Sequence, residues 1–323
     1  FIFKSITVLN KNFFNKRMKH TLKVTIALVL FFFIAQFIGL LIINHYIDHK
    51  RTFETKKVQW QPLPYNIERP EVKNQSTSFI WITIAILVGT FLVLLLIRFN
   101  KPLIWKFWFF ASVFFTLLIA FGAFMDIIFA TTLALLVSVL KLYKPNIIIQ
   151  NLSEIFIYGG LAAFVVNIFN LFAVFALLIV ISIYDFLAVY MTKHMIKLAK
   201  FQSKSNVFAG LYLPYEGEKV LTKNKSDFKL PVKSVKSTSP KKSVAVLGGG
   251  DIGFTLIFAG VVMKDLMLKE PVLIGFSMSL IIPTFATIAL LILLLKGKHN
   301  KFYPAMPILS LGCFIGYLIV LLI

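Results

Sequence analysis

The sequence predicts an all-α polytopic membrane protein of nine transmembrane helices, with a cytoplasmic N-terminus and an extracytoplasmic C-terminus. Three observations predict it. The 323 residues are 59% apolar and only 15% charged, with a mean hydropathy of +0.86, whereas a soluble domain carries about 25% charged and about 45–50% apolar residues. The apolar residues are gathered in uncharged runs such as 24–47 and 79–97, each near the ~20 residues that cross a bilayer core. Lys and Arg, finally, are dense in alternate connections between those runs. A water-soluble enzyme, a disulfide-stapled secreted domain and a disordered chain are excluded.

In chain order, a basic stretch over 4–23 precedes a first run at 24–47. That run is too long for a secretory leader and lacks a small-residue cleavage site, so it is expected to be a span. Spans two to four follow at 79–97, 103–125 and 127–140. The fifth, 147–169, is the weakest, and its Gln150, Asn151 and Glu154 fit a membrane interface. The sixth runs over 170–192, and the last three over 244–263, 272–295 and 302–323. Between spans six and seven lies a polar stretch rich in Lys and Ser, with Pro214, Pro231 and Pro240 and no helical periodicity. It reads as a flexible cytoplasmic loop. The chain therefore divides into a six-helix part, 1–192, the loop 193–243, and a three-helix part, 244–323. No long-period repeat is evident.

Orientation follows from the 34 Lys and Arg residues, which outnumber 13 acids. With the N-terminus inside, the cytoplasmic segments hold six before the first run, three over 98–106, Lys141 and Lys144, twelve over 193–242 and three over 296–301. The outer segments hold six over 50–73, with Lys264 and Lys269. That bias of 26 to 8 obeys the positive-inside rule and requires an odd number of spans. The formal charge of +21 is thereby accounted for by topology and an anionic leaflet, and no nucleic-acid partner is expected. The single Cys313 excludes an intramolecular disulfide.

A carboxylate well inside a span costs ~2.5–3.5 kcal/mol or more on insertion scales, so each one requires a reason. Asp126, between spans three and four, reads as a helix N-cap in a tight external turn. Asp185 and Asp251 have no such account. Their spans flank the cytoplasmic loop and run antiparallel, and each acid lies about seven residues, ~10 Å, from the cytoplasmic end of its run. They are expected to face one another, although each could instead be satisfied by a separate polar partner. Two such charges ~4 Å apart at an effective dielectric of ~20 repel by ~4 kcal/mol, which favours holding one proton between them. A singly protonated pair suits amide hydrolysis: the ionised acid takes a proton from water while its partner polarises the carbonyl. The same pair also suits an ion or proton site in a coupled transporter.

Gly248, Gly249 and Gly250 precede Asp251 and disfavour regular helix by about 1 kcal/mol each relative to alanine. Before them, Val244, Ala245, Val246 and Leu247 can extend, and irregular backbone at membrane depth is tolerated where it is buried or lines a cavity. These four residues are expected to form a strand that pairs with an unwound peptide. Pro304, Ala305, Met306 and Pro307 open the last span, where proline fits a helix N-terminus. Tyr184 adjoins Asp185 and packs beside it.

Together Tyr184-Asp185 in span six, Gly248-Gly249-Gly250-Asp251 in span seven and Pro304-Ala305-Met306 at the start of span nine resemble the presenilin and signal-peptide-peptidase family of intramembrane aspartyl proteases. That family carries Tyr-Asp, Gly-x-Gly-Asp and Pro-Ala-Leu at these places. The resemblance covers nearly the whole chain. It implies that Asp185 and Asp251 are the catalytic pair, that Gly248 and Gly250 admit substrate backbone, and that Pro304 to Pro307 shape the site. It implies transmembrane substrates of the single-span kind, with extracytoplasmic N-termini. The N-inside orientation resembles presenilins, and the compact connections resemble a microbial, archaeal-type member, which implies an integral membrane protein, in the plasma membrane if the source is prokaryotic. Met306 replaces the family leucine, and Gly249 the leucine common in presenilins.

Other chemistries fare worse. A zinc protease wants His-Glu-x-x-His, which is absent, and His45 and His49 read as interfacial residues; neither metal nor cofactor is expected. A rhomboid-like serine protease wants Gly-x-Ser-Gly, and Gly275-Phe276-Ser277-Met278 lacks the last glycine. A prepilin-peptidase-like enzyme shares Gly-x-Gly-Asp but not the layout or the Pro-Ala motif. A proton- or cation-coupled transporter using Asp185 and Asp251 stays open, though nine spans do not divide into two inverted repeats.

Overall fold

The computed structural model describes residues 22–99, 101–192, 208–216, 242–297 and 303–323. The basic stretch 4–23 lies outside these residues apart from its last two positions, as does most of the 193–243 connection. Among the described residues the chain forms eleven helices and one small sheet. Helices α1 (Leu22–Tyr46), α2 (His49–Thr55), α3 (Ser78–Arg98), α4 (Pro102–Gly122), α5 (Ile127–Tyr143), α6 (Ile147–Val165) and α7 (Leu171–Leu187) make the first part, and α7 ends in a π-helical turn, Ala188–Thr192. Strands β1 (Gly210–Glu216) and β2 (Lys242–Gly248) follow, then α8 (Gly249–Leu266), α9 (Val272–Ser279), α10 (Ile281–Lys296) and α11 (Met306–Leu322).

Among the described residues six helical stretches are long and apolar enough to cross a membrane: Leu22–Tyr46, Gln75–Leu96, Pro102–Gly122, Ile147–Ile168, Leu171–Met191 and Val272–Lys296. Helices α5 and α11 are apolar but have only 17 residues, about 26 Å at 1.5 Å per residue. Helix α8 is the core of the bundle, burying Ile252, Leu256, Phe258, Ala259, Val261 and Met263 among others. At the opposite extreme, α3 exposes Ile80, Trp81, Ile84, Leu87, Val88 and Phe91, an apolar surface suited to lipid. Close helix approach depends on missing side chains, as between α6 and α4: a Cβ on Gly160 would run into the Thr116 carbonyl.

The structure refines the sequence-based expectations in several places. The fold is mostly helical rather than wholly so, because part of the segment expected to be a flexible loop is a strand. Strand β1 pairs antiparallel with β2 in the register Gly210 to Gly248 through Glu216 to Lys242. The seventh run accordingly starts as strand, and its helix begins only at Gly249.

Asn151 and Glu154 are buried within the protein and Gln150 is half-buried. Asn151 pairs with Tyr212 of β1 through two bonds of 2.8 Å, accepting from its N–H and donating to its carbonyl. Its amide thus stands in for a neighbouring strand. Glu154 forms an ion pair of 2.6 Å with Lys141 of α5, both side chains almost wholly buried. Finally, Asp126 does occupy the N-cap position of α5, but its side chain accepts no capping hydrogen bond.

Candidate active site

The residues singled out from sequence converge at the junction of α7, β2, α8 and α11. Asp185 lies in the last turn of α7, two residues before its end. Its Oδ2 accepts the Met306 N–H at 3.1 Å, and the Ala305 N–H is also donated to this carboxyl. These N–H groups belong to the start of α11, where the first turn has no intrahelical acceptors and the helix dipole favours an anion. Pro307 occupies the second position of α11, where its missing N–H costs nothing. Pro304 and Met306 are buried. Ser182 and Ser310 share a hydrogen bond of 2.9 Å that holds α7 against α11 one turn farther in. Tyr184 turns the other way, sharing a contact of 3.4 Å with Thr90 of α3.

Asp251 stands at the third position of α8, and its carboxyl accepts the N–H of Gly248, the N-cap residue. This is the second half of a capping box, in which the N3 carboxylate reaches back to the N-cap N–H. Gln36 of α1 secures the same turn from behind, donating to the Ile252 carbonyl at 2.9 Å and to Thr255 Oγ1 at 2.8 Å. Thr255 Oγ1 in turn bonds the Asp251 carbonyl at 2.7 Å.

The two carboxyls are close enough to act on one another electrostatically. Among the described residues neither forms an ion pair. Each is instead held by backbone N–H groups at a helix N-terminus, which fixes a carboxylate without neutralising it.

Val244 to Leu247 lie in β2 as a strand: Ala245 and Leu247 are buried, and Val246 is exposed. Gly248 has extended backbone and hands the chain from strand to helix. Gly250, expected to admit substrate, has room for a Cβ at ordinary contact with Phe254. The sterically demanding glycine is the middle one, because a Cβ on Gly249 would overlap the hydroxyl of Tyr158.

Sequence reasoning missed Tyr158, Gln36 and Lys141 altogether. A signal existed for the first: Gln150, Glu154 and Tyr158 recur every four residues along α6 and so share one face.

Comparisons with known proteins identify the family. A family model described as signal-peptide peptidase, presenilin aspartyl protease matches residues 63–323. No curated protein sequence matches the chain. Among solved structures the chain is similar to a presenilin family intramembrane aspartate protease in a C222 space group. Identity there is 18%, over 92% of this chain and 98% of that one, with a TM-score of 0.57. A second structure of such a protease, in a P2 space group, gives 18% identity over 92% and 96% of the two chains, with a TM-score of 0.55. At that identity the likeness speaks for the fold, while the family match covers the stretch from before α3 to the end of α11 and so contains both acids. The chain belongs to the signal-peptide peptidase and presenilin family of aspartyl proteases.

Proposed function

We propose that the protein is an intramembrane endopeptidase that cuts peptide bonds within the transmembrane segments of single-span proteins, with Asp185 and Asp251 as its catalytic pair. One observation carries this reading: in an apolar bundle the Asp251 carboxyl lies within electrostatic reach of Asp185, and among the described residues neither acid forms an ion pair. Mutual repulsion favours one shared proton. The ionised acid then accepts a proton from a bound water, whose oxygen attacks the scissile carbonyl carbon. The protonated acid gives its proton to the carbonyl oxygen. Collapse of the tetrahedral gem-diol breaks the C–N bond: the proton taken from water leaves on the amine nitrogen, and one hydroxyl of the adduct returns its proton to the other carboxylate, which restores the singly protonated pair.

A helical substrate must unwind to expose its carbonyl. Among the described residues the sheet has two strands, and the outer side of β1 is engaged by Asn151. The second edge of β2 is therefore the place for an unwound peptide, with Val244 to Leu247 supplying backbone groups and Gly248 and Gly250 leaving room. Pro304, Ala305, Met306 and Pro307 shape the opposite wall through Asp185, and Tyr184 braces it against α3. The lysine-rich 193–243 connection supports a cytoplasmic position for this end of the bundle, and with it a topology of nine spans and an outer C-terminus.

The test uses purified protein in lipid vesicles with a single-span substrate. Wild type should cut it, and folded Asp185→Asn and Asp251→Asn should not. Cleavage surviving in either variant removes the two-aspartate mechanism. Ion flux without cleavage would assign the acids to a transporter instead.

A further inference from the structure

Three linked, buried polar groups on α5 and α6 have no part in these proton transfers. Lys141 of α5 is 4% exposed, Glu154 of α6 is 1% exposed and Tyr158 of α6 is 6% exposed. Lys141 Nζ lies 2.6 Å from Glu154 Oε1 and donates to Ser153 Oγ at 2.8 Å. The other carboxylate oxygen, Oε2, accepts the Tyr158 hydroxyl. A buried ion pair can often be exchanged for apolar residues with no loss of stability. Its presence here calls for something that it holds, and what it holds is the phenol of Tyr158.

That phenol leans on the first turn of α8. Its hydroxyl fills the volume that a Cβ on Gly249 would need, and its ring lies 3.5 Å from the place of a Cβ on Gly253. The two glycines bracket Asp251, which lies within electrostatic reach of the phenol. Because the hydroxyl proton is committed to Glu154, Tyr158 does not donate to Asp251. Because Lys141 balances Glu154, the assembly brings no net charge to the pair of acids. Its action on Asp251 is positional.

The same face of α6 also holds the strand that leads to Asp251. Gln150 Nε2 donates to Glu154 Oε1 at 2.9 Å and to the carbonyls of Phe208 and Gly210, each at 3.0 Å. Asn151 fixes Tyr212 one residue farther along the helix. One helix face therefore grips β2 through β1, and grips α8 directly through Tyr158.

We propose that Tyr158 is a positioning residue for Asp251, held by the buried Lys141–Glu154 pair and admitted by the glycine at 249. This rests on the reading of Asp251 as a catalytic acid. The position of the Asp251 carboxyl against Asp185 is then set from α5 and α6, which contribute nothing to the chemistry.

The experiment measures kcat and KM separately for Tyr158→Phe, Gly249→Ala, the double variant and Asp251→Asn, all in vesicles with the single-span substrate. Tyr158→Phe keeps the ring and removes the hydroxyl. It should lower kcat about tenfold at unchanged KM, since small misplacement of a reacting group costs one to two powers of ten. Gly249→Ala should lower kcat about a hundredfold by displacing the phenol. The double variant should recover part of what Gly249→Ala loses, because the hydroxyl that the new methyl strikes first is gone while the ring carbons Cζ and Cε1 stay 2.7 and 2.9 Å from it. Wild-type kcat in folded Tyr158→Phe, or equal losses from Gly249→Ala in both backgrounds, overturns the proposal. Should Tyr158→Phe fail to fold, Gly249→Ala decides alone: wild-type kcat or a change confined to KM overturns it. The Asp251→Asn arm separates the two readings. If it is inert while Tyr158→Phe is fully active, only the positioning role falls; if it still cuts, the catalytic pair falls first.

Discussion

The N–H of Met306 donates to the Asp185 carboxylate at 3.1 Å, joining residues 121 positions apart in sequence. The start of α11 therefore holds Asp185 through its backbone, and the side chains of the Pro-Ala-Met-Pro segment act by fixing that backbone. Met306→Leu is a swap of similar volume at a buried site and should cost less than about 1.5 kcal/mol. Cleavage should stay near wild type. Met306→Pro removes the donor while keeping a residue that suits the first helical position. It should cut kcat by about tenfold or more, as expected for a charge-assisted hydrogen bond worth ~1.5–3 kcal/mol. Equal activity in the two variants would show that the N–H does not matter.

The Lys141–Glu154 pair gives a prediction in which stability and activity part company. Lys141→Met leaves Glu154 charged and buried, and removing one partner of such a pair costs about 3–5 kcal/mol. Lys141→Met with Glu154→Leu replaces both partners by apolar side chains of similar size and should recover most of the lost Tm. Activity should not recover with it, because Tyr158 has then lost its acceptor. A double variant that regains both would make the pair a matter of stability alone.

Asn151 offers a sharper structural test. Leucine has nearly the same shape but leaves the N–H and the carbonyl of Tyr212 without their partners, at about 1–3 kcal/mol for each buried group. Asn151→Leu should loosen β1 while α8 and α1 stay intact. Amide hydrogen exchange would show it as faster exchange at Leu211 to Leu213, with the α8 core unchanged.

These residues mark what could and could not be read from the sequence. Asp185, Asp251, the glycine triplet and the Pro-Ala-Met-Pro segment were legible because each breaks a local rule, a charge or a helix breaker inside an apolar run. Strand β1 was not. Its seven residues contain Pro214 and sit among lysines, and the group that satisfies its outer edge comes from Asn151, 61 residues earlier. Lys141 was hidden for a different reason. The positive-inside rule accounts for a lysine at the end of span four whether it points inward or outward. Glu154 stands out as a charge inside an apolar run and fits an interface on sequence grounds, but its partners lie on neighbouring turns and on another helix. Non-local pairing of polar groups is invisible to any reading of hydropathy along a single run.

The remaining prediction concerns β2 as a docking edge. In an antiparallel pair, successive residues of a strand direct their N–H groups alternately toward the partner and away from it. Along Val244 to Leu247, proline at two alternate positions removes a bond to β1, while at the other two it removes only a bond that a substrate strand would make. The outward pair should therefore lose cleavage with Tm and helix content unchanged, and the inward pair should lose both. The two members of each pair lie two residues apart, so the pattern must show a period of two along the strand. Loss of cleavage without that period would point to general disturbance of the approach to Asp251, and full cleavage with all four prolines would remove β2 from substrate binding.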